Sequence, residues 1–265
     1  MALFDPEFRK GIKIFFSDAD SHMLRLYSEH TLVDENDCTS NFTSRIRDLF
    51  PNNFPLKIKA YSQKLPSGSE QKWGVDGLIL LVDHEKNQGK ICLFESKTDR
   101  KNWDYTHKNS SPPVSHFSTQ LKRQKTPAAM GFVVWEQFYI TSQVNSSCFM
   151  HHVAIQHKGA PTYKYIWQDE DVRNACELQK KMGFPVNVGE IIELVCECSI
   201  GTPFDIETIA AHLNEIPPVA NALIIEKQGP ELNNNLTERL NELFSQGLNN
   251  LSPQGNQKKR GFRRR

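Results

Sequence analysis

No stretch of about eighteen consecutive apolar residues occurs in this chain, so nothing in it is expected to span a membrane. Met1 to Phe16 lacks the basic start and uninterrupted apolar run of a secretion signal, which makes the cytoplasm the expected compartment. Cysteine is sparse, at six in 265 residues. That is too few for a disulfide scaffold, and reduced thiols are expected. No internal repeat is visible. No Gly-rich phosphate loop, Ser-His-Asp order or nucleotide-binding signature appears, which removes the common nucleotide-binding and serine-hydrolase classes. Nor is there a large excess of charge, since the formal net charge is +1.

What is present is an ordinary globular composition, 38% hydrophobic and 24% charged, with sixteen Phe and four Trp to build a core. The charge is unevenly placed. Six of the last eight residues are basic (Lys258, Lys259, Arg260, Arg263, Arg264, Arg265), leaving the rest of the chain net acidic. Such a run attracts phosphate without sequence preference. A solubilising tail is the alternative reading.

Periodicity divides the chain into an α/β body over 1–168, a helical C-terminal extension over 169–250 and a flexible basic tail over 251–265. Residues 1–16 read as an aromatic-rich lead-in, and 18–30 as a short helix. Thr31 with Asp34 resembles a capping box opening a helix from Leu32 to Phe50, which Pro51 should end. Residues 56–62 alternate as a strand. The strongest strand signals are 73–83 and 90–97, joined by a polar, Gly-ended turn. A helix over 114–125 should stop at Pro127. Runs at 131–140, 148–155 and 163–167 read as strands, and 169–182, 188–199, 205–214 and 231–246 as helices.

Chemistry concentrates on the hairpin. Alternation along Lys90 to Lys97 places Ile91, Leu93, Glu95 and Lys97 on one face. Asp76 shares a face with Leu78, Leu80 and Val82. With Glu85 to Gln88 as the turn and His84 facing Gly89, Leu78 would meet Glu95 and Asp76 would meet Lys97. Asp76, Glu95 and Lys97 then gather at the open end of one hairpin. Two carboxylates are hard oxygen donors suited to Mg²⁺ (or Mn²⁺). Lys97 could orient an attacking water or meet charge on a phosphate. The alternative is a plain strand-end salt bridge.

Trp73-Gly74-Val75-Asp76-Gly77, a strand, a turn and Cys92-Leu93-Phe94-Glu95-Ser96-Lys97 resemble the PD-(D/E)xK nuclease superfamily. There, an Asp ends one strand and Glu-x-Lys the next. Val75 stands where the motif has Pro. The resemblance covers about residues 31–160 and extends to the order helix, three strands, helix, strand. It implies a restriction-endonuclease-like core: a mixed central sheet flanked by helices. Implied too is metal-dependent hydrolysis of phosphodiester bonds, DNA favoured over RNA, with restriction or anti-phage defence as the setting and a partner protein of the same system. A catalytically silent nuclease-fold subunit that binds nucleic acid or protein is the rival.

By that resemblance Glu35, on the stripe with Cys38, Phe42, Ile46 and Leu49, joins Asp76, Glu95 and the Ser96 carbonyl as a metal ligand. Asp34, Asp37 and Glu29 are its alternatives. Gln120 would position substrate or water, with Gln124 one turn on as its alternative. Lys122, Arg123 and Lys125 would contact phosphates, joined by Lys258, Lys259 and Arg260. Cys148, His151, Cys196 and Cys198 have the ligand chemistry of zinc but poor spacing for a knuckle, and buried thiols explain them better.

Overall fold

A computed structural model describes residues 2–53, 58–64, 72–106, 114–158, 166–216, 221–227 and 236. Within them lie seven helices and one mixed sheet of six strands in the order β1-β6-β2-β3-β4-β5. The strands are β1 (Ile58–Lys64), β2 (Gly77–Asp83), β3 (Gln88–Thr98), β4 (Val133–Tyr139), β5 (Ser147–Met150) and β6 (Asn221–Lys227). β2 is buried along its whole length, which its unbroken Leu-Ile-Leu-Leu-Val run anticipates for a strand covered on both faces.

One face carries Ile79, Leu81, Cys92, Phe94 and Trp135 and is covered by α1 (Pro6–Ser28), α2 (Glu35–Asn53) and α6 (Val188–Cys196). The other carries Leu78, Leu80, Ile91, Leu93 and Val134 and is covered by α7 (Ile206–Leu213). Toward β5, α3 (His116–Ala129) continues that layer, with Phe117 and Leu121 against Phe138 and Phe149. α4 (His151–Lys158) and α5 (Asp169–Lys181) close the β5 end, α5 lending Val172 and Ala175 to the same cluster.

The largest correction concerns the C-terminal third. It is not a helical extension, because β6 lies inside the sheet. β6 pairs parallel with β2 and antiparallel with β1. Its Leu223 and Ile225 enter one core and its Ala222 and Ile224 the other. The expected helix over 231–246, apart from Leu236, and the tail over 251–265 lie outside the described residues.

The lead-in and short helix expected over 1–30 are one helix, α1. Asp5 caps it by accepting the Phe8 N–H at 2.9 Å, and Pro6 occupies its first turn. Phe8, Ile12, Phe15, Phe16, Ala19 and Met23 form its buried stripe, each large side chain stabilising the fold by about 1.5–3 kcal/mol. Asp20 sits within that stripe and breaks the apolar pattern. Its carboxylate accepts from the Gln137 amide (2.8 Å) and the Ser146 backbone N–H (2.8 Å), tying α1 to β4 and to the approach of β5.

Burial pushes the Asp20 carboxyl up to about 6, against the pull of its donors Ser146 and Gln137. An acid whose folded pKa is raised above its unfolded value binds protons more tightly when folded, so its contribution is most favourable at low pH. That contribution is lost as pH rises from about 4 to 6. The melting temperature should therefore carry a downward component across that window, and Asp20→Asn should remove it. Melting curves at half-unit steps test this. An unaltered slope in the variant would mean that another group titrates there.

Smaller differences have local causes. α2 starts at Glu35 because Asp34, not Thr31, is the cap, accepting the Asp37 N–H at 3.0 Å. α2 also runs on to Asn53, past Pro51. α3 passes Pro127, whose carbonyl accepts from Met130 and Phe132 (both 3.2 Å). The strand expected over 148–155 turns into α4 at His151. Most of the strand expected over 163–167 lies outside the described residues, and Ile166 and Trp167 are not in a strand.

The hairpin register also differs. The loop is His84 to Asn87, with Asp83 facing Gln88 and Leu78 facing Leu93. Asp83 Oδ1 accepts the Glu85 and Lys86 N–H groups (3.1 and 3.3 Å), which starts the turn one residue early. The slip amounts to two residues, and an even slip leaves every side chain on its face.

Candidate active site

Continuing the observed register one step past Gly77 and Phe94 sets Asp76 opposite Glu95, rather than opposite Lys97 as expected. The Asp76 N–H donates to the Phe94 carbonyl (2.9 Å), and Asp76 Oδ2 accepts the Ser96 N–H (2.9 Å). Two residues on, the Lys97 ammonium returns to Glu95 Oε1 in a close ion pair and also donates to the Ser96 carbonyl at 3.2 Å. Gln120 donates its amide to that same Glu95 oxygen. The two strands and α3 therefore bring Asp76, Glu95, Lys97 and Gln120 together.

Two glycines make room for this arrangement. Gly74 has φ +64°, and a Cβ there would lie 2.9 Å from the Gln120 Cα, so only glycine lets the entry to β2 approach α3. Gln124 secures the same approach by donating to the Gly74 carbonyl at 2.8 Å. At Gly77 the Phe94 ring occupies the place of a side chain, 2.2 Å from where a Cβ would be.

Glu95 is 1% exposed and Lys97 4%. This burial sets the pair apart from an exposed strand-end salt bridge. Desolvating a carboxylate and an ammonium costs several kcal/mol per ion, and apolar residues would usually serve the fold as well. Burial, joined by the neighbouring Asp76 charge, drives the Glu95 carboxyl well above its usual range. Asp76 is raised by burial as well, with Lys97 and the Ser96 N–H opposing. Burial alone would depress the Lys97 ammonium, but Glu95 and Asp76 outweigh it and raise it. Buried, mutually perturbed groups of this kind are characteristic of functional sites.

A further carboxylate belongs to the same neighbourhood and was not anticipated. Glu136 on β4 stands in register with Glu95 on the adjacent parallel strand and is fully buried. Burial pushes it up to about 8, with Lys97 and Gln124 pulling it down and Asp76 pushing it up. The signal was available: Val134, Glu136 and Phe138 alternate, placing an acid between two apolar residues on one face of a strand buried along its length.

Glu35 does not join the group as expected. α2 packs on the Phe94 face of the sheet, where Thr39 bonds the Ser96 hydroxyl (2.8 Å). From there Glu35 binds Arg100 (2.7 Å) and Thr98 (3.5 Å), beyond Lys97 along the strand. Its charge still raises Asp76. The Ser96 carbonyl, expected to face a metal, accepts the Lys97 ammonium. Lys122 and Lys125 are exposed on α3 and Arg123 is half-buried, while Lys258, Lys259 and Arg260 lie outside the described residues.

Among the described residues, no three His, Cys, Asp or Glu side chains are grouped to hold a metal ion. Of the residues with zinc-ligand chemistry, His151 bonds the Leu121 carbonyl (2.8 Å) and Cys148 lies against the Ser146 hydroxyl (3.3 Å). The absence of such a group does not exclude Mg²⁺, which is usually held by one or two carboxylates and keeps several waters. The donor chemistry fits such an ion: Glu95 Oε2 and Gln120 Oε1 are buried oxygens without a hydrogen-bond donor. Also among the described residues, no helix is long and apolar enough to cross a membrane.

A cleft of about 560 Å³ opens two residues beyond Lys97, lined in part by Arg100, Lys101, Trp103, Tyr105 and Ile166. The chain matches no known family model, and no curated protein or solved structure matches it either.

Proposed function

We propose that this chain is a metal-dependent nuclease with a restriction-endonuclease-like core, hydrolysing phosphodiester bonds of nucleic acid, DNA in preference to RNA. One observation carries the proposal: Asp76, Glu95, Lys97 and Gln120 meet at one buried point from two strands and a helix. The order α2, β1, β2, β3, α3, β4 supports it. In the sheet itself β6 lies between β1 and β2.

Asp76 and Glu95 would hold Mg²⁺ (or Mn²⁺). The ion supplies Lewis-acid stabilisation of phosphate charge and acidifies water. Asp76 is aimed by the Ser96 N–H, so its orientation is set by the backbone of the neighbouring strand. Gln120 fixes the Glu95 carboxylate. Lys97, kept charged by its two carboxylates, orients the attacking water and donates to charge developing on the phosphate. The cleft beside Arg100 and Lys101 would receive the polyanion.

Purified protein incubated with single- and double-stranded DNA and RNA, in Mg²⁺, Mn²⁺ or EDTA, tests the proposal. Cleavage that EDTA abolishes is expected. A second reading, a silent nucleic-acid-binding subunit, draws on Lys97 and Gln120 both occupying Glu95 Oε1, which leaves a metal only Oε2 of that carboxylate. It wins if no substrate is cut with either metal, including after addition of proteins encoded beside it.

A further inference from the structure

Five buried oxygens on one face of the sheet have no hydrogen-bond donor: Glu95 Oε2, Gln120 Oε1, Gln124 Oε1 and both carboxylate oxygens of Glu136. They share one neighbourhood. Glu95 and Glu136 stand in register on adjacent strands, whose backbones in any sheet are about 4.8 Å apart. Gln120 and Gln124 lie one turn apart on α3, the first bonded to Glu95 and the second acting on Glu136.

An unsatisfied buried polar atom costs about 1–3 kcal/mol, so five together require an explanation. All five are acceptors. Of the nearby donors, the Gln120 amide nitrogen is bound to Glu95, Lys97 to Glu95 and Ser96, and the Gln124 amide nitrogen to the Gly74 carbonyl, so that its pull on Glu136 falls short of a well-formed hydrogen bond. One ammonium, Lys97, faces the three acids Asp76, Glu95 and Glu136, and burial raises all three above their usual range, so a bound cation would have protons to displace. Carboxylate and amide oxygens, without imidazole or thiolate, are the ligand set of a hard divalent cation.

We propose that Glu95, Glu136 and the side-chain oxygens of Gln120 and Gln124 form a divalent-cation site between β3, β4 and α3. It lies one strand away from Asp76. It rests on the proposed active site through the shared Glu95 and Gln120, and Glu136 is its defining ligand.

The test is Mn²⁺ binding to the full chain, measured by calorimetry and by electron paramagnetic resonance of free Mn²⁺, with melting curves as the fold control. Asp76→Asn should still bind one Mn²⁺ per chain and still melt higher with it. Glu136→Gln should weaken that site by at least about tenfold, a loss of the size seen even for outer-shell partners of a metal. The double variant should bind at least about tenfold more weakly than Asp76→Asn. Wild-type binding in Glu136→Gln would overturn the site, leaving ordered water or a retained proton to satisfy Glu136. Loss of all Mn²⁺ in Asp76→Asn would overturn it too, while sparing the proposed function. A wild type that binds no Mn²⁺ would overturn both. Should Glu136→Gln fail to fold, Glu136→Asp, which draws the carboxylate back by one methylene, gives the second arm, and unchanged Mn²⁺ affinity in it would overturn the site.

Discussion

Lys97→Met should lower phosphodiester cleavage by about 10²–10³-fold or more, the loss expected when a preorganised donor to transition-state charge is removed. Nucleic-acid binding should change only a few-fold, because the work assigned to Lys97 is done in the transition state and not in the bound ground state. The variant should also be less stable, since Lys97 is the ion-pair partner of a carboxylate that is 1% exposed. Breaking a buried pair by removing one partner costs about 3–5 kcal/mol, and Glu95 will recover part of this by taking up a proton. Low activity in Lys97→Met alone would therefore confound chemistry with folding. The double variant Lys97→Met/Glu95→Gln separates them: it should regain stability and stay inactive. Single-turnover cleavage, filter binding and thermal melts give the three readouts. A Lys97→Met protein that cuts at the wild-type rate removes Lys97 from the chemistry.

How much of this site was legible beforehand depended on parity. The turn was placed one residue too late and the pairing came out two residues off, because the Asp83 side chain that opens the turn is not a pattern feature. Asp76, Glu95 and their apolar neighbours still came out on one face, since an even slip cannot move a side chain across the sheet. Gln120 followed from the resemblance, which puts a Gln on the helix after the Glu-x-Lys strand; the α3 pattern alone does not single it out, because Ser118 and Gln124 are buried with it. Glu35 failed for the opposite reason. The stripe it shares with Phe42 and Ile46 correctly showed which side of α2 is buried. Helical periodicity does not say which face of the sheet that side covers, and α2 covers the face away from Glu95.

β6 and Glu136 show two other limits. Asn-Ala-Leu-Ile-Ile-Glu-Lys is a short apolar run of strand length, but its partners are β1 and β2, more than a hundred residues earlier. Nothing local marks a strand that inserts between two others. Glu136 was within reach, since it alternates with Val134 and Phe138. Its meaning appears only when β4 is laid parallel to β3 and sets it beside Glu95. The break that Asp20 makes in the α1 pattern has the same origin, because its donors come from residues 137 and 146.

Asp76→Asn should cost cleavage at least about 10²-fold for a different reason than Lys97→Met, namely weaker cation binding rather than lost transition-state donation. The fold should survive. Asn keeps a side-chain oxygen to accept the Ser96 N–H now bound by Asp76 Oδ2, and its amide can donate toward Glu95. Removing one of two neighbouring buried acids also relieves repulsion that now raises Glu95, so the variant should melt no lower than wild type in EDTA. Because the defect is in affinity, raised Mn²⁺ should restore part of the cleavage rate in Asp76→Asn and none in Lys97→Met. The two variants titrated with Mn²⁺ side by side make the comparison. Equal rescue of both would mean that Lys97 acts through metal binding, not on water or phosphate. Full activity of Asp76→Asn at ordinary Mg²⁺ would place the cation elsewhere and leave this carboxylate a structural cap on the Ser96 backbone.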